Sequence, residues 1–341
     1  MRSVAITGVS GYLGRTLVRL LDEDQSITRI VGIDVVEPGF TARNLEFYSM
    51  NIRSPDLVNV VRGCDAIVHL AAVHIDADEI QDVNVGGTRA VTDAAARGGV
   101  RKFVFASSHD VYGAHADNDF PLTESSPVRP NHEDAVAVTK AEAETVVRYF
   151  QSEHPDVTVT TLRFAFVAGP SIPAGRAARI DAKVRFAIAG YDPPFQAVHE
   201  QDAACALQHV LTNDLPGTFN VCADDTVEAP EALLGQRRIE VDLERGRRIA
   251  EKTSRLGMSP QAFSLLLYPQ VMSGEALKST GFAPQHSTAV ALRQAAEARR
   301  EWVSIGRFQL RRRSAVVVAG TIGMLAVASA LRGRRAKRAR G

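Results

Sequence analysis

Cysteine is scarce in this chain, with only Cys64, Cys205 and Cys222 among 341 residues. No two of them stand at zinc-binding or redox spacing, so neither a disulfide framework nor a structural metal is expected to hold the fold. That usage fits a reducing compartment. The nine histidines form no pattern such as H-E-x-x-H. His69 and His74 flank an apolar segment and read as strand-end residues rather than ligands, so no metal site is expected. An apolar run already begins at residue 4, so no secretory leader is expected either. Acidic residues are missing after Glu301, where ten basic ones follow: Arg307, Arg311, Arg312, Arg313, Arg332, Arg334, Arg335, Lys337, Arg338 and Arg340. Up to Glu301 there are 30 basic residues against 39 acidic, a net of −9, so the overall charge of +1 hides an acidic body and a basic tail. No nucleic-acid-binding motif is present. The mixed-sign run Arg237–Lys252 reads as a solvated helix face, and no nucleic-acid partner is expected.

What is present starts at the beginning of the chain. Val4-Ala5-Ile6 leads into Thr7-Gly8-Val9-Ser10-Gly11-Tyr12-Leu13-Gly14, which opens an amphipathic stretch to Leu21. The pattern is strand, glycine-rich turn, helix. Gly8 allows a tight turn, Gly11 a close backbone approach to a diphosphate, and Gly14 close packing of helix on strand. Phosphate charge would meet unpaired N–H groups at the positive end of the helix. A second apolar run, Ile30-Val31-Gly32-Ile33, ends in Asp34, about 20 residues beyond the last glycine, where an acidic residue holds the adenosine ribose. No basic residue immediately follows Asp34, which favours NAD over NADP.

Strands and helices then alternate. Leu45–Tyr48, Ala66–Ala72, Lys102–Ala106 and Val157–Leu162 read as strands, with helices from Asn84 to about Arg97 and from about Glu133 to Gln151. Near-continuous apolar strands alternating with helices predict an α/β fold: a Rossmann-like, doubly wound parallel sheet covered on both faces, with ligands beyond the strands' carboxyl ends. The division expected is a dinucleotide-binding domain over 1–168, a smaller substrate lobe over 169–300 that partly returns to the sheet, and a tail over 307–341.

These segments resemble the extended short-chain dehydrogenase/reductase family, in its NAD-dependent epimerase/dehydratase branch. The resemblance rests on Thr7–Gly14, His69-Leu70-Ala71-Ala72, Asn84-Val85-Gly86-Gly87-Thr88 and Ser107-Ser108-His109-Asp110-Val111-Tyr112-Gly113. It continues through Lys140–Glu144, Leu162-Arg163-Phe164, Val198–Asp202, Gly217–Val221 and Gly281-Phe282-Ala283-Pro284, covering about residues 1–300. It implies that Gly8, Gly11, Tyr12, Leu13, Gly14 and Asp34 bind NAD. Asn51 and Ile52 would flank the adenine, with Asn51 where the family usually has Asp. Ala71 and Ala72 would line the cofactor's middle, and Asn84 would organise the active-site backbone. Ser108 would hydrogen-bond the substrate oxygen and Lys140 the nicotinamide ribose. Relatives often pair through helices, so a homodimer is possible.

One family element is absent. The family's Y-x-x-x-K reads Val136-Ala137-Val138-Thr139-Lys140, and a valine cannot carry the proton that the tyrosine exchanges with the substrate. Three substitutes are in the neighbourhood. His132, one turn before Val136, would share its face if the helix extends that far. His109 follows Ser108, and Tyr112 matches a tyrosine that usually packs the loop. Tyr149 lies too far along. On the substrate side, Phe166 stands where members acting on nucleotide sugars carry an Asn. It either packs inward or lines a pocket for a less polar molecule such as a lipid or sterol-like alcohol, with Tyr191–Phe195 shaping the wall. Arg176, Arg179 and Arg185 are candidates for a phosphate but commoner as surface arginines.

Two functions follow. The first is an NAD-dependent oxidoreductase acting on the hydroxyl or carbonyl of a sugar-derived or lipid-like small molecule, with a relocated proton donor: Ser108 and Lys140 positioning it, His132 carrying the proton. The second is a redox-silent NAD(H) sensor or scaffold at a membrane. A lipid carrier is a weaker third. Val136 favours silence; the retained Ser108, Asn84 and Lys140 favour the enzyme. Ser314–Leu331 is uncharged and, at ~1.5 Å per residue, reaches roughly 27 Å, short of a ~30 Å hydrocarbon core. Both flanks are basic, so orientation is ambiguous, and a tilted, interfacial or re-entrant anchor competes with a span. The expectation is a cytoplasmic catalytic domain attached to the membrane through this tail. Deleting Arg311–Gly341 should move the protein from the membrane pellet to the soluble fraction on fractionation; an unchanged pellet removes the idea.

Overall fold

Alternate residues of the first strand, β1 (Ser3–Thr7), serve opposite cores: Val4 and Ile6 join one, Ala5 the other, and all are fully buried. A computed structural model describes residues 1–73, 79–173, 176–252, 260–300, 302–305 and 308–311. The remaining strands of the first half are β2 (Arg29–Asp34), β3 (Leu45–Ser49), β4 (Ala66–His69), β5 (Lys102–Ser108) and β6 (Thr158–Phe164). In the lobe come β7 (Phe166–Ala168), β8 (Val184–Ile188), β9 (Ala197–His199), β10 (Gly217–Val221) and β11 (Arg237–Val241). The main sheet has seven strands in the order β10-β6-β5-β4-β1-β2-β3, all parallel. Strand order reverses between β1 and β4, the place where such sheets open a ligand crevice.

The same alternation runs along β4 and β5. Val68 and Val104 face one side, Ile67, Phe103 and Phe105 the other. Both faces are therefore apolar, and both are covered. Helices α1 (Tyr12–Glu23), α2 (Leu57–Val61), α3 (Gly87–Gly98), α4 (Ala135–Glu153), α5 (Ala178–Asp181) and α6 (Glu200–Thr212) follow in chain order. Leu17, Val18 and Leu21 of α1 and Leu207, Val210 and Leu211 of α6 cover the first face. Val91 and Ala95 of α3 and Ala143, Val147 and Phe150 of α4 cover the second. Each fully buried large side chain contributes about 1.5–3 kcal/mol of transfer free energy.

Beyond Phe164 the chain builds smaller cores. Strand β7 pairs with β9, and Ala168, Ile172 and Ala197 pack with Ala291, Leu292 and Ala295 of the helix Thr288–Arg300. Strand β8 pairs with β11 over Ile188, Val241 and Phe263. The run Arg237–Lys252 is thus not one helix. Its first five residues are a strand, because β8 offers a partner, and only Leu243–Lys252 is helical. Arg238 is ion-paired with Asp192, Glu231 and Glu240 rather than solvated. The segment Ser314–Leu331 lies outside the described residues. Among the described residues no helix is long and apolar enough to cross a membrane, and no group of His, Cys, Asp and Glu could hold a metal.

A polar chain is buried among these apolar layers. Glu144 on α4 receives Arg163 from β6 in two-point fashion, Nε to Oε1 at 2.9 Å and Nη2 to Oε2 at 2.7 Å. Ser107 Oγ on β5 donates to the same carboxylate at 2.6 Å. Arg163 Nη1 donates to the Tyr112 hydroxyl at 2.9 Å, which donates to Asn220 Oδ1 on β10 at 2.7 Å. Arg163→Met would leave the buried Glu144 carboxylate with only the exposed Arg148, 3.6 Å away, as counter-ion, so urea unfolding should show a loss of about 3 kcal/mol.

His69 at the end of β4 is also a structural group. Its Nδ1 meets Thr7 Oγ1 at 2.7 Å and its Nε2 meets Thr88 Oγ1 at 3.0 Å. Burial, with a smaller effect of the Lys140 charge, lowers its pKa to about 3. Between about 3 and the ordinary value of 6.5, the unfolded chain therefore binds the extra proton. Stability should fall as pH drops through that window, by up to about 1.4 kcal/mol per pH unit from this one group. Denaturant titrations should show a shallower acid dependence in His69→Gln.

Candidate functional site: a glycine-rich cradle facing the end of the fifth strand

The turn after β1 is held between two backbones. Gly8 has φ +74°, and a Cβ there would lie 2.7 Å from the Ala71 nitrogen, just past β4. A Cβ at Gly14 would lie 2.5 Å from the Gly8 carbonyl oxygen. The two outer glycines of the motif thus do what their spacing predicts: one allows the turn, the other lets α1 close onto it. Gly11 is different. It is the exposed N-cap of α1, no side chain caps the helix, and a Cβ there would meet only the Gly8 oxygen at 3.1 Å. The helix therefore presents its positive end and its first amides, with Tyr12 and Leu13 in its first turn, over an open approach.

Asp34 closes β2 beside this turn. Its Oδ2 accepts from the Ser10 amide at 3.0 Å and its Oδ1 from the Val36 amide at 3.1 Å, so the carboxylate is fixed and keeps lone pairs for hydroxyl donors. Val35 and Val36, both exposed, follow it where a cation would be needed to neutralise a 2′-phosphate. Asn51 lies exposed on the same edge, its Oδ1 accepting from the Arg53 amide at 2.9 Å. Ile52 is buried, and it fills the space beside Gly87, where a Cβ would lie 2.5 Å from its Cδ1. Ile52 is thus a core residue at the crevice edge.

Ala71 and Ala72 leave β4 half-buried, with the Ala71 amide donating to Thr7 Oγ1 at 3.3 Å. Asn84 sits in a π-helical turn, Asp82–Gly86, that precedes α3. Its Oδ1 accepts from the Val73 amide at 2.8 Å, and its Nδ2 donates to the Val73 carbonyl and to Thr139 Oγ1, both at 3.0 Å. One buried amide therefore ties the backbone after β4 to α4, one residue before Lys140. Lys140 is itself buried. Its Nζ donates to the Ala106 carbonyl at 2.7 Å and stands over the Phe105 ring at 5.0 Å. Burial lowers its pKa to about 7, with a further lowering by the Arg176 charge and an opposing effect of Glu144.

At the carboxyl end of β5, Ser108 N-caps a short 3₁₀ helix, His109–Tyr112. Its hydroxyl donates to Asp110 Oδ2 at 2.7 Å and accepts from the Asp110 amide at 3.3 Å. His109 Nε2 stands 3.7 Å from Asp110 Oδ1. Val136, half-buried in the first turn of α4, carries no polar atom to face them.

The candidate His132 loses its helical argument. Asp134 caps α4 by accepting from the Ala137 amide at 3.0 Å, and the helix begins at Ala135. His132 therefore lies in an exposed turn before the cap and does not share a helical face with Val136. Tyr112 is fully buried in the polar chain described above, and burial raises its phenol above the ordinary value against the opposing pull of Arg163. It packs the loop, as expected. Phe166 stacks edge-on with Phe195 at 5.7 Å inside the lobe's own core, which is the inward-packing alternative. Arg185 is ion-paired with Glu231 at 3.5 Å, whereas Arg176 reaches over the Tyr12 ring at 5.7 Å. His74 and the side chain of Arg179 lie outside the described residues.

Sequence reasoning passed over Asp110. The signal was there, an acidic residue two positions after a serine at a strand end, where such a pair forms a local turn. A cavity of about 350 Å³ opens nearby, lined in part by Phe120, Tyr191, Pro194 and Tyr268. It adjoins the segment that carries Gln270, whose Nε2 donates to the His109 carbonyl at 3.4 Å.

Comparisons with known proteins bear on the fold and the family. A Mycobacterium tuberculosis protein, the uncharacterized Rv0501, is 27% identical over 306 residues, 84% of this chain and 81% of its own length. Mouse dTDP-D-glucose 4,6-dehydratase is 32% identical over 187 residues, half of this chain and 51% of that enzyme. Among solved structures, dTDP-glucose 4,6-dehydratase from Streptomyces venezuelae, with NAD bound, superposes at a TM-score of 0.68 with 22% identity, covering 88% of this chain and 97% of that one. UDP-glucose 4-epimerase from Thermus thermophilus, also with NAD, gives 0.67 with 20% identity, over 87% and 98%. Residues 4–222 match the NAD dependent epimerase/dehydratase family, and to that family this chain belongs.

Proposed function

We propose that the protein binds NAD(H) across the carboxyl ends of β1, β2 and β4 and acts as an epimerase/dehydratase-type oxidoreductase. Its substrate is a small molecule with a reacting hydroxyl or carbonyl, sugar-derived or lipid-like. The observation that carries this reading is the cradle: two glycines with no room for a Cβ, a third facing open approach at an uncapped helix end, and Asp34 fixed beside them. In this reading the first amides of α1 hold the diphosphate, and Asp34 accepts from the adenosine ribose hydroxyls. Asn51 and Ile52 border the adenine, and Ala71, Ala72 and Asn84 line the middle. When bound, the nicotinamide supplies a two-electron hydride acceptor.

Lys140 is suited to the ribose next to that ring. Its pKa of about 7 comes mainly from burial, so a hydroxyl partner that replaces lost solvation favours its charged form. Ser108 orients the substrate oxygen at the end of β5. The aromatic-lined cavity, walled in part by Pro269 next to Gln270, suits the non-reacting end of the substrate, whether a base or an apolar chain. The curated sugar-nucleotide dehydratases that match half the chain support the sugar-derived branch.

Calorimetric titration tests the reading. NAD should bind saturably, about tenfold or more tightly than NADP, because the Asp34 carboxylate repels a 2′-phosphate; Asp34→Ala should erase most of that preference. Absence of heat with either dinucleotide would sink the reading. Saturable binding with no product from UDP-glucose, dTDP-glucose or a long-chain secondary alcohol would instead support the silent sensor.

A further inference from the structure

Hydride transfer from a carbinol needs an acceptor for the hydroxyl proton, and α4 has none at Val136. Strand β5 ends with two serine–carboxylate pairs side by side. In the first, Ser107 donates to Glu144, but that carboxylate is held by both nitrogens of Arg163 and is buried. Its charge is neutralised and it has no route to a ligand. In the second, Ser108 donates to Asp110 Oδ2 at 2.7 Å, and the Asp110 carboxylate is partly exposed at the end of the strand. In a parallel sheet that end is where ligands sit.

We propose that Asp110, acting through Ser108, is the proton acceptor that replaces the missing tyrosine. The inference rests on the NAD(H) reading above and adds the group that completes it. The Ser108 oxygen accepts from the Asp110 amide at 3.3 Å and meets His109 Nδ1 at 3.4 Å; with the His109 proton on Nε2, towards Asp110 Oδ1, that Nδ1 does not donate, and the second Ser108 lone pair is left for a substrate hydroxyl. In the oxidation direction the carbinol C–H bond breaks and its electron pair leaves with the hydrogen for the nicotinamide ring. The substrate O–H bond breaks as its proton passes to Ser108 Oγ, and the Ser108 proton passes to Asp110 Oδ2. The products are a carbonyl, NADH and a protonated Asp110; reduction runs the same transfers backwards. Lys140, fixed on the Ala106 carbonyl two residues before Ser108, would hold the ribose of the cofactor. His109, with Nε2 at 3.7 Å from Asp110 Oδ1, is a positioning residue on the far oxygen.

The test uses the full-length protein loaded with NAD and mixed with UDP-glucose, dTDP-glucose or a long-chain secondary alcohol, reading enzyme-bound NADH in a single turnover. Asp110→Asn should lower the rate by about 100-fold or more while NAD affinity stays within about twofold. Ser108→Ala should do the same, and the double variant should be no slower than either single one, because a relay fails as a unit. Val136→Tyr should restore at least about tenfold to Asp110→Asn and move the acid limb of its pH–rate profile upward, since a phenol titrates near ~10 and a carboxyl near ~4. Losses that multiply in the double variant, or an Asp110→Asn protein as fast as the native one, overturn the relay. So does a native protein that binds NAD but forms no NADH from any probe, whereas failure to bind NAD at all removes the underlying reading instead.

Discussion

The buried pair of Glu144 and Arg163 is the contact on which the site's geometry depends. It joins α4 to β6, and through Ser107 and Tyr112 it reaches β5 and the loop beyond. A buried ion pair is weak evidence of stability, since desolvation offsets much of its attraction. Its value here is directional. The two-point fork fixes the rotation of α4 about its own axis, and Lys140 lies one turn before Glu144 on that helix. With Glu144 fixed, the Lys140 ammonium arrives at the Ala106 carbonyl, and the first turn of α4 faces the end of β5. Asn84 is tied to the same helix through Thr139.

Much of this was legible in the sequence. The near-continuous apolar strands forced both faces of the sheet indoors, and the glycine spacing placed the turn against α1. Asp34 came at the expected distance and closes β2 beside the turn. What failed to show was decided by partners distant in sequence. Arg237–Val241 reads as helix by its charge pattern, yet β8 recruits it as a strand. His132 was placed by counting back along a helix, and the count ignored the capping aspartate that stops it. Asp110 was hidden by its ordinariness, because a serine and an aspartate two residues apart usually make only a turn. Its neighbour Ser107, spent on a neutralised carboxylate, supplies the contrast that singles it out, and that contrast exists only in three dimensions.

Phe166 shows the opposite case. As a residue standing where a polar one is common, it invited an inference about substrate polarity. Its ring is occupied by Phe195, so the departure says more about how the lobe is packed than about what it binds. The residues that could speak for the substrate lie elsewhere, around the aromatic-lined cavity, on three segments far apart in sequence.

Strand β10 and helix α6 belong to the sheet although the chain reaches them only after building β7, β8 and β9. A break after residue 168 would strip the sheet of an edge strand and uncover the side of α1 that α6 shields. The residues outside the main sheet are therefore drawn from chain on both sides of β10, not from one appended segment. Divergence in this architecture is easiest in the loops of those stretches, where new side chains can be tried while the sheet keeps its full complement of strands.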